Sequence, residues 1–416
     1  MDQHAPPKKR KILICTLVLL IPLLYSCSMK PKVSTIKEIK LDPIETLTPE
    51  EIAKEHLEIP ELESPVETVP TRKAELVERF NQPNGPNDLV KYFAEKLMQG
   101  ELRINLKSLR RELILKGISN TELVEAAQDA ALQNPQISLI LYPAILMGEK
   151  SIGYFAYKTT EELESRKIAL EMKVVELLSG IDLTKMSDYD KSLLVHDLVI
   201  QNVEYDYEVF EMMQKNREWT VEEWDQMQEA SNSYGALIYG KAVCSGYAQA
   251  YSLLAKAVGL EAYYMEGLAD YNGDKILHAW NRIKIEDQWL VVDTTWDDTE
   301  TSTNYLWFNQ PTSTAYTNRQ ETENYIKTLD DELIGTSAEY TWFYTNGYYA
   351  TKDTIINVLA QHVGNKEESF QIFIGLLTDE QIEAIQEEFE ARFDFKGHSI
   401  FYSDQMIQYA SKIPTN

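Results

Sequence analysis

Residues 240–247 read GKAVCSGY and stand directly before a pattern that is typical of an amphipathic helix. Apolar residues recur at helical spacing downstream and the pattern stops at Gly259; they are Tyr247, Tyr251, Leu254, Ala255 and Val258. This spacing places Cys244 at or just before a helix N-terminus. There the positive end of the helix dipole stabilises a thiolate, the nucleophilic form of cysteine. The unpaired backbone N–H groups at such an end are also able to hold an oxyanion.

A β-hairpin is predicted over residues 278–294, where the sequences HAWNRIKI and QWLVVDT flank the dipeptide Glu286-Asp287. A two-residue or a four-residue loop places His278 and Asp293 on the same face of the sheet, diagonally adjacent. A three-residue loop would place them on opposite faces. The spacing therefore makes a His–Asp pair plausible, and with a nearby cysteine it suggests the Cys–His–Asp arrangement of acyl transfer.

Several sequence blocks resemble the transglutaminase-like superfamily, particularly its bacterial cell-surface members. They are SYGAL at 233–237, GKAVCSGYA at 240–248, HAWN at 278–281 and VDTTWDD at 292–298. The resemblance covers about residues 187–310 and implies an α+β fold. Its centre is a papain-like core, with a cysteine-bearing helix against an antiparallel sheet, flanked by smaller α/β or α+β domains. It also implies that Cys244 is the nucleophile, His278 the general base and acid, and Asp293 the residue that orients His278.

The resemblance leaves the reaction open, because the superfamily contains cross-linking transferases, cysteine peptidases, amide hydrolases and domains without demonstrated catalysis. The enzymes share one half-reaction, in which a thiolate attacks an amide carbonyl to give a thioester. We expect an extracytoplasmic enzyme of this kind, acting on surface proteins or wall peptides. The alternatives are a cysteine peptidase or amidase with the same triad, and a non-catalytic interaction module at the cell surface.

The side-chain donor to the oxyanion is not assigned by these blocks. Papain-type enzymes carry a glutamine six residues before the cysteine, and Ile238 occupies that position here. Tyr234 is the candidate substitute because its phenol is able to donate a hydrogen bond. The alternative interpretation is that Tyr234 is a structural aromatic residue.

The chain begins with a predicted signal peptide over residues 1–27. A basic run at 8–11 is followed by an apolar run at 12–24, which is shorter than the ~20 residues that a membrane span needs. The sequence LYSC that ends at Cys27 resembles a bacterial lipobox, although Tyr25 is larger than the usual residue there. We therefore expect Cys27 to be lipidated and the protein to be lipid-anchored to the cell membrane, facing outward. An uncleaved anchor and ordinary secretion are the alternatives.

Four further segments are predicted after the signal peptide. They are a disordered Pro/Glu-rich stalk at 28–75, a small α+β domain at 76–180, the transglutaminase-like domain at 181–325 and a small C-terminal α/β or α+β domain at 326–416. Within the last of these, residues 340–350, 369–376 and 397–402 read as strands, and residues 352–362 and 379–393 as helices.

The other polar residues that could carry chemistry have structural interpretations. A capping box at Ser187 and Asp190 starts a helix that carries His196, which we interpret as a packing or surface residue. Asp297 and Asp298 are expected to be solvated acids at a strand end. The run DYNGD at 270–274 lacks the glycine and the final glutamate of a calcium loop and is expected to be a polar turn. No metal site and no cofactor are predicted.

Charge and cysteine content limit the partners. The net charge of the 416 residues is −26, yet the first forty residues contain eight basic and two acidic side chains, so the remainder carries −32. Such a surface repels phosphates, which excludes nucleic acid as an expected partner. A protein or peptide substrate at the cell surface is what the resemblance implies. The three cysteines are Cys15 in the signal, Cys27 in the anchor and Cys244. Cys244 is therefore the one candidate nucleophile.

Overall fold

The computed structural model describes residues 69–107, 113, 116–137, 140–147, 151–156, 158–215, 217–271, 273–299, 304–321, 334–367, 369–374, 378–392, 398–402 and 406–411. The predicted signal peptide, Cys27 and nearly all of the predicted stalk lie outside these residues. Among the described helices, none has the length and apolar character that a membrane span requires.

The N-terminal part combines helices with a small antiparallel sheet. Its elements are α1 (Val69–Phe80), α2 (Asp88–Met98), β1 (Arg103–Asn105), α3 (Asn120–Leu132), β2 (Ile140–Met147) and β3 (Ser151–Ala156). The strand order is β1-β3-β2. The side chain of Asn87 accepts hydrogen bonds from the backbone N–H groups of Leu89 and Val90, which fixes the start of α2. Phe93, Ile104 and Tyr154 are among the residues of the apolar core that joins these helices to the sheet.

A helical layer follows and leads to Cys244. Its elements are α4 (Thr160–Leu178), α5 (Asp188–Asn202), β4 (Glu204–Tyr205), α6 (Tyr207–Gln214), α7 (Val221–Ala230), a π-helix (Gly235–Tyr239), β5 (Lys241–Ala242) and α8 (Cys244–Ala257). The predicted capping box between Ser187 and Asp190 is present at the start of α5. The central apolar core around α8 also contains residues of α1, α4 and α5.

The five-stranded sheet is antiparallel throughout, with the order β10-β6-β7-β8-β9. Its elements, with two short helices between strands, are β6 (Ala262–Tyr271), β7 (Asp274–Ile285), β8 (Gln288–Val292), α9 (Thr294–Asp297), β9 (Gln310–Pro311), α10 (Thr312–Ala315) and β10 (Arg319–Glu321). Ile283 of β7 and Leu290 of β8 share the core cluster of α8, so the cysteine-bearing helix packs against this sheet. The fold class predicted from the sequence is confirmed.

The hairpin between β7 and β8 has a two-residue loop, one of the two loop lengths that were predicted to place His278 and Asp293 on the same face of the sheet. Ile285 pairs with Gln288, and Glu286 in the loop has a φ of 54°, as a tight hairpin turn requires. Pairing continues to Asn281 and Val292 and then ends, because the next residue, Asp293, caps α9. Asp293 thus leaves the strand beside the ladder that contains His278.

The C-terminal part is an antiparallel sheet with helices, so it is α+β. Its elements are α11 (Trp342–Thr345), α12 (Ile355–Gly364), β11 (Ser369–Phe373), α13 (Asp379–Arg392), β12 (His398–Tyr402) and β13 (Met406–Ser411), with the strand order β11-β13-β12. The strand predicted at 340–350 is wrong. Ser337 and Thr341 cap two successive short helices there, and local side-chain capping outweighs the strand propensity of the aromatic residues.

Candidate active site

Cys244 is the first residue of α8 and is partly exposed. Its N-cap, Val243, has an extended backbone and no side chain caps the first turn. The backbone of Val243 donates to the carbonyl of Ala230 at 2.9 Å, which fixes the start of α8 against the end of α7. A Cβ on Gly246 would lie only 2.6 Å from that same carbonyl oxygen, so only glycine fits this close approach. The thiol therefore stands at an uncapped helix N-terminus, as the sequence predicted.

His278 and Asp293 form a buried pair. Nε2 of His278 lies 2.7 Å from Oδ2 of Asp293, and the exposed fractions of the two residues are 3% and 1%. The imidazole stacks on the ring of Trp296, with 4.5 Å between ring centroids. The Cys244 thiol lies close enough to the His278 ring to contribute to the raised pKa of that ring. Since Nε2 faces Asp293, Nδ1 is the nitrogen left for the thiol.

The charges of this pair favour an imidazolium. Burial lowers the pKa of His278, but the Asp293 carboxylate and the Cys244 thiol outweigh that effect and raise the pKa to about 9. Burial likewise raises the pKa of Asp293, yet the charges of His278 and Arg319 hold it below its usual value. The site therefore contains a carboxylate and a histidine that is able to hold a proton at neutral pH.

Arg319 is part of this site and was missed by sequence reasoning. Its Nη1 lies 3.0 Å from Oδ2 of Asp293, and both side chains are fully buried. Its guanidinium carbon lies 4.1 to 5.1 Å from the ring centroids of Trp307, Trp296 and Trp280. No sequence signal identified Arg319, because its strand follows the hairpin by 26 residues and is only three residues long.

Tyr205 is the second residue that sequence reasoning missed. Strand β4 pairs in parallel with β5, which sets Tyr205 opposite Ala242, two residues before Cys244. Its ring packs near that of Tyr247 in the first turn of α8, with centroids 6.2 Å apart. Burial and then the neighbouring Cys244 thiol raise the pKa of Tyr205, so the phenol lies within electrostatic range of the nucleophile.

Tyr234, the predicted oxyanion donor, lies in a different environment. The guanidinium of Arg166 lies 4.5 Å from its ring centroid, and the ring of Tyr239 packs edge-on at 5.2 Å. Among the described residues, its contacts do not include Cys244. This packing favours the structural interpretation of Tyr234, and Ile238 is likewise packed against the central core.

Asp297 is not a solvated acid, so that prediction is wrong for Asp297, whereas Asp298 is half-buried. Asp297 is fully buried, with Oδ2 3.2 Å from Nε2 of His196, and burial raises its pKa to about 6. Asp298 accepts a hydrogen bond from the Tyr247 hydroxyl at 2.5 Å. The prediction assumed that β8 ends at an exposed position. Instead, the short helix α9 follows β8 directly and places Asp297 in the interior. His196 is confirmed as a packing residue, fully buried and stacked on Tyr305.

The predicted polar turn at 270–274 is confirmed by its hydrogen bonding. Oδ1 of Asp270 accepts from the backbone N–H of Gly273, whose φ of 89° suits glycine. Across the described parts of the chain, no group of three or more His, Cys, Asp or Glu side chains is arranged to hold a metal ion.

Residues 176–294 match a family model described as the transglutaminase-like superfamily. No curated relative matches the chain. Among solved structures, it is similar to a TGase crystal structure, with 17% identity, 39% of this chain and 45% of that chain covered, and a TM-score of 0.28. It is also similar to a candidate cysteine protease from Cytophaga hutchinsonii, with 12% identity, coverage of 53% and 52%, and a TM-score of 0.23. The chain spans about half the length of these two structures.

Proposed function

We propose that this chain is a transglutaminase-like cysteine enzyme that attacks amide bonds of surface proteins or wall peptides outside the cytoplasmic membrane. The observation that carries the proposal is the order of neighbours in the site: Cys244 at a helix N-terminus, His278 within electrostatic range of its thiol, and Asp293 at 2.7 Å from His278. A nucleophile, a base and an orienting carboxylate in this order supply what acyl transfer needs.

In the first half-reaction the Cys244 thiolate attacks the carbonyl carbon of an amide. A C–S bond forms, the carbonyl oxygen becomes an oxyanion, and the backbone N–H groups at the start of α8 are the candidate donors to it. The imidazolium of His278 then protonates the leaving nitrogen and the C–N bond breaks. Ammonia or an amine departs, and a thioester remains on Cys244.

In the second half-reaction an acceptor resolves the thioester. The acceptor gives a proton to His278 as it attacks the thioester carbonyl, and the C–S bond breaks to return Cys244 as a thiolate. A primary amine yields a new amide, which is transglutamination, whereas water yields a carboxylic acid. Asp293 holds the imidazole in place and stabilises its charge in both steps.

The state of the site before reaction suits this chemistry. A pKa of about 9 for His278 means that its ring holds a proton at neutral pH, which it is able to give to a leaving nitrogen. The partial exposure of Cys244 supports access for a substrate, and this observation disfavours the interaction-module alternative with an occluded cleft.

The proposed location and substrate class come from the N-terminal sequence and the charge. The basic and apolar runs before Cys27 favour export and lipid anchoring, and the 28–75 segment would hold the catalytic part away from the membrane. With a net charge of −32 after the first forty residues, binding to an anionic wall polymer by charge is disfavoured. Protein or peptide amides are the substrates that this surface suits.

An amine-incorporation assay tests the proposal. Wild type and Cys244→Ala would be incubated with a fluorescent primary amine and a glutamine-containing protein as the acyl donor. Incorporation that the substitution abolishes supports transfer, and release of a cleaved product without incorporation supports the peptidase or amidase alternative. If folded wild type gives neither product and Cys244 resists a thiol-directed probe, the enzyme proposal is wrong and the interaction module is favoured.

A further inference from the structure

The carboxylate of Asp293 has more partners than a His–Asp pair requires. Its Oδ2 is 2.7 Å from Nε2 of His278 and 3.0 Å from Nη1 of Arg319, and its Oδ1 accepts from the backbone N–H of Trp296 at 3.2 Å. Two cationic side chains therefore share one oxygen of a carboxylate that is fully buried.

Arg319 is held in a setting that makes Asp293 its main charge partner. Its side chain is fully buried, and a buried guanidinium is costly unless an opposite charge compensates it. Among the described residues, neither Nη atom makes a hydrogen bond of good geometry, so the contact of Nη1 with Asp293 is an ion pair. The side chain's other polar contact is a hydrogen bond from Nε to Oδ1 of Asn318 at 3.3 Å. The faces of Trp280, Trp296 and Trp307 surround the guanidinium, which excludes water and fixes its plane.

The strand that carries Arg319 is itself anchored. Two residues further on, Glu321 forms a bidentate pair with Arg282 of β7, and both N···O distances are 2.9 Å. A Cβ on Gly267 of β6 would lie 2.1 Å from the Gln320 carbonyl oxygen, so glycine permits this close approach of the strands. Gly267 of β6 pairs with His278 of β7 on one side and with Glu321 of β10 on the other. Strand β10 is therefore held at a fixed distance from His278.

We propose that Arg319 is a positioning residue for the reaction proposed above, acting through Asp293. Its fixed positive charge keeps the Asp293 carboxylate ionised and aimed at His278, which in turn stabilises the imidazolium beside the Cys244 thiolate. Without that charge, burial of Asp293 would favour its protonated form, which is a poor partner for an imidazolium. This inference rests on the proposed function, because Arg319 has a positioning role only if the Cys244 thiolate acts as the nucleophile.

The other charged and titratable groups near Asp293 are few among the described residues. His278 and Arg319 are the cationic groups, and Asp297 on the same short helix is a second carboxylate paired with His196. Tyr205 approaches from β4 with a neutral phenol. Arg319 is therefore the fixed positive charge that remains beside Asp293 when His278 gives up its proton.

The experiment measures the rate at which iodoacetamide alkylates Cys244 in the full-length protein, followed by peptide mapping, between about pH 4 and 9. The variants are Arg319→Gln, Arg319→Lys, Asp293→Asn and the double variant Arg319→Gln with Asp293→Asn. The acid limb of this profile is the low-pH range in which the alkylation rate falls because the Cys244 thiolate becomes protonated. We expect Arg319→Gln to move the acid limb to a pH about one unit higher, so that the alkylation rate at acidic pH is about tenfold lower. Arg319→Lys should recover most of this loss because it restores the charge.

The Asp293→Asn background separates an indirect role from a direct one. If Arg319 acts through Asp293, adding Arg319→Gln to Asp293→Asn should change the rate less than about twofold. A folded Arg319→Gln variant with the wild-type profile would overturn the proposal, and so would an equal tenfold loss on the Asp293→Asn background. Should Arg319→Gln not fold, a folded Arg319→Lys variant that loses the acid limb overturns it as well.

Failure of the proposed function has a different signature in the same experiment. In that case Cys244 of folded wild type would react no faster than an ordinary thiol, and in every variant its rate would fall below about pH 8.5, as that of a free cysteine does. That result overturns both the inference and the function, whereas a normal wild-type limb that Arg319 does not affect overturns the inference alone.

Discussion

At the scale of single residues, the site depends on how charge is shared around Asp293. The carboxylate contacts His278 and Arg319, and its other oxygen accepts from the backbone at the start of α9. The imidazole is confined on its flat side by Trp296. Each neighbour therefore restricts both the position and the protonation of the histidine that faces Cys244.

The first residue-scale prediction concerns the pH dependence of stability. Because folding raises the pKa of His278 from 6.5 to about 9, its contribution to stability is complete below pH 6.5 and is lost as the pH rises through about 9. The free energy of unfolding of wild type should therefore fall by an amount on the order of 2 to 3 kcal/mol as the pH rises, and His278→Gln should lack this fall. Urea denaturation at about pH 6 and pH 9.5 measures the free energy of unfolding of both proteins. An equal fall in wild type and variant would contradict the assignment.

A second prediction compares two tyrosines. The phenol of Tyr205 lies near the Cys244 thiol, whereas Tyr234 packs against Arg166 and Tyr239. We expect Tyr205→Phe to lower kcat about tenfold or more, as loss of an oxyanion donor would, and Tyr234→Phe to change it less than about twofold. Steady-state kinetics of the two matched variants decide between them. The reverse order of effects would restore Tyr234 as the donor.

The sequence was most informative where residues are close together along the chain. The His278–Asp293 pair followed from strand alternation, because a two-residue loop preserves the face of each side chain. Arg319 was beyond such reasoning, since only the order of strands in the sheet brings it to Asp293. The pairing of Asp297 with His196 was missed for the same reason, as 101 residues separate the partners.

At the scale of elements, the position of the thiol depends on the first turn of α8. That turn is pressed against the end of α7, where the backbone of Val243 bonds to Ala230. The parallel pair of β4 and β5 fixes the chain just before it. The helix end, and with it the candidate oxyanion site, is thus held by backbone contacts on two sides.

Gly246→Ala tests this close packing. Its new Cβ would lie 2.6 Å from the Ala230 carbonyl and from the Ala242 side chain, so the start of α8 must shift. We expect a loss of about 1 to 3 kcal/mol in the free energy of unfolding and slower alkylation of Cys244. Gly364→Ala is the matched control, because nothing lies within 4 Å of its Cβ. Denaturation curves that show equal effects for the two variants would contradict the packing argument.

Element prediction succeeded where local signals agreed and failed where they competed. The helix start at the Ser187 capping box was predicted correctly, because the spacing of apolar residues and the cap indicate the same structure. In the segment 340–350, aromatic residues favoured a strand while Thr341 favoured a helix start. The cap prevailed, and the ring of Trp342 stacks between those of Tyr305 and Tyr348.

At the scale of the whole molecule, the described parts gather around several cores. Helices α1 and α4 contribute to the core of α8, while the N-terminal and C-terminal sheets have cores of their own. The segment boundaries predicted at 76, 181 and 326 stay predictions. The basic N-terminal run lies outside the described residues, and the signal peptide predicted there likewise stays a prediction.

The proposed anchor is tested by substituting its cysteine. If Cys27 carries the lipid, Cys27→Ala should move the protein from the membrane pellet to the soluble fraction of fractionated cells. Cys15→Ala is the matched control, because Cys15 lies in the apolar run and should leave the distribution unchanged. Immunoblots of the two fractions measure the outcome. Retention of Cys27→Ala in the pellet, as in wild type, would favour an uncleaved anchor.

If His278 activates Cys244 to form an acyl-enzyme, the rate of acylation of that thiol should depend on His278. Folded full-length protein would be treated with p-nitrophenyl acetate, and the adduct located by peptide mapping before and after hydroxylamine. We expect an acetyl group on Cys244 of wild type that hydroxylamine removes. The acetyl group should form about 100-fold more slowly in His278→Gln. Equal acylation of Cys244 in wild type and His278→Gln, or no adduct on Cys244 in folded wild type, would contradict this expectation.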